Sequence, residues 1–265
     1  MRTGLIGLIA TALSAVALLA PTTADAQNTL EKILASKKIR VAIDVANPPF
    51  GVLDKAGQPD GSDVAVARLL AKDLGAELEF VQVPSTGRIP ALLAGRADVT
   101  IASISVTTER AKAVMYCHPN GALSITIFGP QGVKISSPAD LAGKRVGITR
   151  ATLEEATVPK MAPEGTKIVW FDDLASTVQA LLSGQVDAAA MTAFAEKTVS
   201  DANPGKHLEN KLLVTTAFYG PIVRQNDFEL RQWINTWIFV NKNNGNLAAI
   251  YKKYTGVELP VLPTF

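Results

Sequence analysis

The chain has 265 residues, of which 48% are hydrophobic and 19% are charged, and its formal net charge is +2. A charge so close to neutrality, with no run of Lys or Arg, argues against a nucleic-acid or membrane-surface partner. The length allows two lobes with cores of their own. The single cysteine excludes an intramolecular disulfide, so apolar cores must hold the fold together.

The N-terminus has the features of a secretory signal peptide. Arg2 precedes an apolar stretch from Leu5 to Ala20, and Ala24-Asp25-Ala26 supplies an A-x-A cleavage site. We expect residues 1–26 to be removed, because the apolar stretch is short for a membrane span and is followed by Pro21. With no cysteine beside this site to carry a lipid, the expected location is a bacterial periplasm.

The mature chain then alternates β-rich runs with helical patterns. Residues 40–44 are typical of a strand, and residues 63–74 have apolar side chains at helical spacing before Gly75, a favourable helix C-cap. The same reasoning predicts strands over 77–83 and 97–102, helices over 88–94 and 107–114, and an extended segment over 123–128.

A second series of elements follows. Ser137, Pro138 and Gly143 have the positions of a cap, a first-turn proline and a terminal glycine of a short helix. Such strand–helix alternation indicates parallel sheets covered by helices on both faces. The predicted strands cover 144–149, 167–171 and 186–191, and the predicted helices cover 152–161, 174–182, 193–202, 227–240 and 246–254.

The two series share one helix-to-strand turn. Gly95-Arg96-Ala97-Asp98-Val99 in the first series matches Gly184-Gln185-Val186-Asp187-Ala188 in the second. Each turn follows a Leu-rich helix and begins a buried strand, which predicts two α/β lobes of similar design. Because ligands bind beyond the carboxyl ends of parallel strands, we expect the site in the cleft between the lobes.

Together these segments resemble the extracellular solute-binding proteins of family 3, which serve ABC importers of polar amino acids. The resemblance covers residues 30–255 and implies a type II periplasmic binding protein fold, in which each lobe is a mostly parallel sheet flanked by helices and two strands form a hinge. It is carried, besides the two Gly/Asp turns, by Pro48-Pro49-Phe50, Gly61-Ser62-Asp63, Arg88-Ile89-Pro90-Ala91-Leu92, the stretch 105–110 and the stretch 141–147.

The resemblance also implies how the chain divides. The first lobe is expected to be discontinuous, with residues 28–122 and 218–265, and the second is expected to contain residues 124–216. The hinge is expected near 122–125 and 216–219. Closure of the lobes would be driven by the better contacts that a ligand makes in the closed state.

Four residues of the first lobe are implicated by the resemblance. Arg110 corresponds to the arginine that binds the ligand's carboxylate, for which a planar guanidinium is well suited. Ser103 and Ser105 correspond to positions that donate hydrogen bonds to the same carboxylate. Arg88 resembles the arginine that meets a side-chain carboxylate in members that bind acidic amino acids, although Gly87 replaces the usual Asn; the alternative is an arginine that faces water.

Several positions depart from the family pattern. Asn47 replaces a stacking aromatic residue, Ser85 replaces a Trp, Phe or Leu wall, and Ala151-Thr152-Leu153 has one hydroxyl fewer than the usual Gly-Ser-Thr loop. Thr192 occupies the place of the acid that holds the ligand's ammonium. Because a buried ammonium needs a carboxylate partner, either another acid, such as Glu154, replaces it or the ligand has no amine.

No metal-ligand spacing, cofactor motif or nucleophile motif is present in the sequence. Cys117 and His118 are adjacent, but neighbours on an extended segment point apart, so we expect them to have packing roles. The sequence therefore predicts a monomeric periplasmic binding component of an ABC importer, with an amino acid or small carboxylate as ligand, permease subunits as partners and no enzymatic activity. The alternative is a periplasmic enzyme similar to cyclohexadienyl dehydratase, acting on an amine-free dicarboxylate.

Overall fold

A computed structural model describes residues 28–264. The predicted signal peptide, residues 1–26, lies outside the described residues. Within this described region, none of the helices is both long enough and apolar enough to cross a bilayer.

The elements alternate between strands and helices along most of the chain. The strands are β1 (Lys38–Ile43), β2 (Val52–Leu53), β3 (Pro59–Asp60), β4 (Glu77–Gln82), β5 (Val99–Thr100), β6 (Val114–Tyr116), β7 (Gly121–Pro130), β8 (Arg145–Thr149), β9 (Lys167–Phe171), β10 (Ala188–Thr192), β11 (Leu208–Tyr219) and β12 (Ile222–Arg224). The helices are α1 (Thr29–Ser36), α2 (Ser62–Leu74), α3 (Arg88–Leu93), α4 (Leu153–Met161), α5 (Leu174–Ser183), α6 (Ala193–Ala202), α7 (Phe228–Asn243) and α8 (Asn246–Thr255).

The first lobe is a sheet with the strand order β4-β1-β5-β12-β6, packed against α1, α2, α3, α7 and α8. β1 is parallel to β4 and β5, whereas β12 is antiparallel to β5 and β6. Side chains of β1 alternate between the two faces of the sheet. Ile39 and Val41 enter a core with α2 and α7, and Ala42 packs with Ala91 of α3. Helices therefore cover both faces, as predicted.

The second lobe is a sheet with the strand order β11-β7-β10-β8-β9, packed against α4, α5 and α6. β8 is parallel to β9 and β10, and β7 is antiparallel to β10 and β11. Ala190 of β10 packs in one core with Val158 of α4, and Met191 packs in another with Leu181 of α5. One strand in each sheet, β7 or β12, thus runs against the other four, which confirms the mostly parallel fold class.

The repeated turn has the same structure in both lobes. Asp98 accepts hydrogen bonds from the main-chain N–H of Arg40 at 2.9 Å and from its guanidinium at 2.5 Å. Asp187 accepts the corresponding bonds from Arg145 at 2.8 and 2.7 Å. Each arginine also donates to the carbonyl oxygen of the glycine that begins the turn. The predicted internal repeat is confirmed, and its aspartate fixes a helix end to a parallel strand of the lobe, β1 or β8.

β7 and β11 form an antiparallel ladder that connects the two lobes. The predicted hinge segments, near 122–125 and 216–219, are neighbours across this ladder, and Ser124 pairs with Thr216. Their side-chain hydroxyl oxygens are 3.1 Å apart. We propose that the lobes divide at these two segments, because no other paired strands lie between the sheets in the part of the chain that the structure describes.

Two predicted helices are single 3₁₀ turns in the structure. The segment 107–114 contains only the turn Arg110–Lys112, because Val114 already belongs to β6 and is paired in the first sheet. The segment 137–143 contains only the turn Pro138–Leu141. Its predicted cap is correct, but β8 begins two residues after this segment, which leaves no room for a longer helix.

Candidate functional site

A cavity lies between the two sheets, at the carboxyl ends of their parallel strands. Its walls come from segments that follow β1, β4 and β5 in the first lobe and from the ends of β8 and β10 in the second. This is the position where open α/β sheets bind ligands. All the residues predicted for the site line this central cavity: Asn47, Ser85, Arg88, Ser103, Ser105, Arg110, Thr152 and Thr192.

Two arginines of the first lobe donate to one carbonyl oxygen of the second. Nη2 of Arg88 lies 2.8 Å from the carbonyl oxygen of Ala151, and Nη2 of Arg110 lies 2.9 Å from the same atom. Nε and Nη1 of Arg88 donate to two carbonyl oxygens of the first lobe, and Nη1 of Arg110 donates to that of Ser105 at 3.1 Å. Arg88 is only 5% exposed, so the alternative of a water-facing arginine is wrong.

The Arg88 guanidinium is buried near three acids, Asp44, Glu154 and Asp63. Burial lowers the pKa of Arg88. The charge of Asp44 is the main influence that raises this pKa. Asp44 accepts hydrogen bonds from the Ser85 hydroxyl at 2.7 Å and from the main-chain N–H of Ala46 at 3.0 Å. Asp63, at the start of α2, is also buried, and this burial raises its pKa to about 8 although Arg88 favours the charged form.

Sequence reasoning missed the part that Asp44 and Asp63 play around the site. Asp44 follows β1 directly, and Asp63 lies in the first turn of α2, where an acid is an ordinary helix-start residue. Its place in the sequence could have predicted a role for Asp44, because this residue directly follows a buried parallel strand, at the edge of the sheet where ligands bind.

Ser103 turns the chain from β5 towards the cavity. Its φ of 46° lies in the left-handed region, which is strained for a residue with a side chain. Nδ2 of Asn47 donates to its hydroxyl oxygen at 3.0 Å. Two residues further on, the carbonyl oxygen of Ser105 accepts from the Tyr116 hydroxyl at 2.8 Å. The segment from Ser103 to Ser105, called the serine segment below, is therefore held in one conformation by side chains of its own lobe.

In the second lobe, two cavity threonines are also helix caps. Thr152 is the N-cap of α4, and its hydroxyl donates to the carbonyl oxygen of Thr149 at 2.6 Å. Thr192 is the N-cap of α6, and its oxygen accepts from the main-chain N–H of Ala195 at 3.1 Å. The Thr192 hydroxyl is therefore engaged by its own helix, and it carries no charge for an ammonium group.

Glu154, named above as a possible substitute acid, also lines the central cavity. It lies in the first turn of α4 and is 6% exposed. Burial raises the pKa of its carboxyl group, while its own main-chain N–H and the charges of Arg88 and Arg110 act in the opposite direction. Among the described residues that line the cavity, Glu154 is the one acid.

Apolar residues complete the cavity and join the lobes beside it. The Phe50 ring, in the predicted Pro-Pro-Phe turn, packs edge-on against Tyr219 at 5.4 Å and against Phe194 of α6 at 5.8 Å between centroids. These rings belong to one core that contains residues of both lobes. The apolar side chains that line the cavity are Leu123, Ile125, Leu153, Leu174 and Ala195.

Cys117 and His118 do not line the central cavity. Cys117 is fully buried, and this burial raises the pKa of its thiol to about 12. The main-chain N–H of His118 donates to Oδ1 of Asn235 at 2.7 Å. Both residues pack in the first lobe, as predicted. Within residues 28–264, no cluster of three or more His, Cys, Asp or Glu side chains could hold a metal ion.

Two α/β lobes with a polar cavity between them define the class of two-lobed binding proteins. The sequence of residues 39–257 matches the family model of the bacterial extracellular solute-binding proteins, family 3. This match covers most of the chain, so the protein belongs to that family.

Individual relatives agree with this assignment. The chain is 26% identical to the L-arginine-binding protein of Pseudomonas aeruginosa, over 87% of this chain and 92% of the relative. It is 30% identical to a putative ABC transporter arginine-binding protein 2 of Escherichia coli, over 83% of this chain and 91% of the relative. The solved structure of an ancestral arginine-binding protein bound to arginine has a TM-score of 0.78 and 33% identity, covering 82% of this chain and 98% of that one.

Proposed function

We propose that this protein is the substrate-binding component of an ABC importer and that it binds an amino acid in the central cavity. The observation that carries the proposal is the convergence of two first-lobe arginines, Arg88 and Arg110, on one point of the second lobe. Family membership and the names of the relatives support the same function.

In the proposed mode of binding, the ligand's carboxylate lies against Arg110 and the serine segment. Guanidinium offers paired N–H donors that match the two oxygens of a carboxylate, and the positions of Ser103 and Ser105 beside Arg110 in the cavity wall support this choice. Groups of the second lobe, including Thr152, would complete the contacts when the lobes close. Closure would then be favoured by as much as the ligand binds the closed state more tightly than the open one.

The proposal extends to location and partners. We infer a periplasmic protein that acts as a monomer and delivers its ligand to permease subunits in the membrane. We also infer binding without chemistry: the curated relatives described above are named as binding proteins, which favours binding over the dehydratase alternative.

A thermal-shift screen tests the proposal. The purified protein, without residues 1–26, would be mixed with arginine, histidine, glutamine and glutamate, with their amine-free analogues, and with prephenate. We expect at least one amino acid to raise the melting temperature, because a ligand at a hundred times its Kd stabilises the native state by about 2.7 kcal/mol. Conversion of prephenate to an aromatic product, or the absence of any shift with the amino acids, would overturn it.

A further inference from the structure

We propose that Glu154 binds the ammonium group of the ligand, and that the ligand is therefore a zwitterionic α-amino acid rather than an amine-free carboxylate. This inference rests on the proposed function. It assigns the ammonium to the first turn of α4 rather than to Thr192, the N-cap of α6, where the family pattern places the acid.

Glu154 is placed where it can contact a ligand in the central cavity. Glu154 lines the same cavity as Arg88 and Arg110 and is close enough to both to interact with their charges. A carboxylate and two guanidinium groups are thus the charged groups of one small cavity. A zwitterionic α-amino acid carries the complementary pair of charges on two groups attached to one carbon atom, so its carboxylate can face an arginine while its ammonium faces Glu154.

Other nearby acids are engaged elsewhere. Asp44 accepts from Ser85 and Ala46 and does not line the cavity. Glu155 accepts from the main-chain N–H of Ala151 at 2.6 Å and likewise lies outside the cavity lining. Glu154, in contrast, lines the cavity, so lone pairs of its carboxylate can face a ligand.

The charge of Glu154 disfavours a ligand that is an anion without an amine. A dicarboxylate or a 2-oxo acid would place another anion beside the buried Glu154 carboxylate. Two like charges in a site of low dielectric repel strongly, and one of them would have to take up a proton. An ammonium removes this conflict, because it supplies the counter-charge and the N–H donors that a buried carboxylate needs.

The test compares ligands and variants in one titration-calorimetry experiment. The amino acid that gives the largest thermal shift would be measured beside its des-amino analogue, which keeps the carboxylate and side chain. The proteins would be wild type, Glu154→Gln, and Glu164→Gln as the matched control, because Glu164 follows α4 and is exposed.

We expect Glu154→Gln to weaken binding of the amino acid by about 30-fold or more, since truncating one partner of a buried charge pair has effects of this size. The same substitution should leave the des-amino analogue bound at least as tightly as by wild type, because it removes a like charge beside the anion, and Glu164→Gln should match wild type. The inference is overturned if Glu154→Gln binds the amino acid as wild type does.

Two further outcomes separate the inference from the proposed function. If the des-amino analogue binds wild type as tightly as the amino acid does, the inference is wrong even where Glu154→Gln fails to fold, because this comparison needs no variant. If wild type binds no amino acid at all, the proposed function itself is wrong.

Discussion

Arg110 of the first lobe and Ala151 of the second are in direct contact, with Nη2 of the arginine 2.9 Å from the carbonyl oxygen of the alanine. Ala151 has a φ of 59°, in the left-handed region, and its N–H is held by the Glu155 carboxylate at 2.6 Å. The turn between β8 and α4 thus presents an oxygen to the arginines of the first lobe. A ligand carboxylate, which is a stronger acceptor than a neutral carbonyl, would have to share or displace this contact.

Replacing Arg110 by alanine tests whether its guanidinium binds the ligand. We expect Arg110→Ala to weaken binding by about 2–5 kcal/mol, or about 30-fold to several thousand-fold, because a buried carboxylate would lose its charged partner. Titration calorimetry with the amino acid found in the screen provides the measurement. Arg96→Ala is the control, since Arg96 is exposed and outside the cavity; equal affinity of the two variants would remove Arg110 from the site.

The sequence was sufficient to predict the α/β elements of the two lobes because these depend on short-range patterns, whereas the individual residues of the cavity wall followed from the family resemblance. The Gly/Asp turn joins a helix to a buried strand in each lobe. Residues that follow parallel strands necessarily meet at one edge of the sheet. The sequence could not show the contact of Arg88 and Arg110 with Ala151, because that contact joins residues whose separation is set by how the lobes are placed. The part of Asp44 was missed, and that of Glu154 was left open, for the same reason: their burial depends on the opposite lobe or on packing around Arg88.

The two repeated Arg–Asp turns should differ in their importance for stability. The Asp98 side chain is 10% exposed and that of Asp187 is 29% exposed. We expect Asp98→Ala to lower the free energy of unfolding by about 2 kcal/mol, because hydrogen bonds to a charged group are lost where water replaces them poorly. Asp187→Ala should have a smaller effect. Urea unfolding of both variants measures the difference, and an equal or reversed order would contradict the assignment by burial.

Cys117 should be chemically inert in the native protein. Its side chain is fully buried and burial raises the pKa of its thiol to about 12, so both access and thiolate formation are suppressed. We expect Ellman's reagent at pH 8 to label less than a tenth of the thiol (a rough limit) in the folded protein and all of it in urea. Rapid labelling without denaturant would show that the core around Cys117 opens easily.

Asp63 should make the stability of the protein depend on pH. Its pKa is about 8 in the folded protein, above the ordinary value of 3.8, because burial disfavours the carboxylate. The folded state therefore holds a proton that the unfolded state releases as pH rises above about 4. It follows that the contribution of Asp63 to stability is present at low pH and is lost as pH rises towards 8, by up to about 1.4 kcal/mol per pH unit.

Asp63→Asn isolates this effect, since the amide keeps the shape and the acceptor oxygen but cannot ionise. We expect the free energy of unfolding of Asp63→Asn, relative to wild type, to increase steadily from pH 5 to pH 8 in urea titrations. Asp172→Asn is the matched control, because the Asp172 side chain is 86% exposed, and its curve should run parallel to that of wild type. If the Asp63→Asn curve is also parallel, Asp63 ionises equally in the folded and unfolded states and its burial beside Arg88 has no influence on the proton.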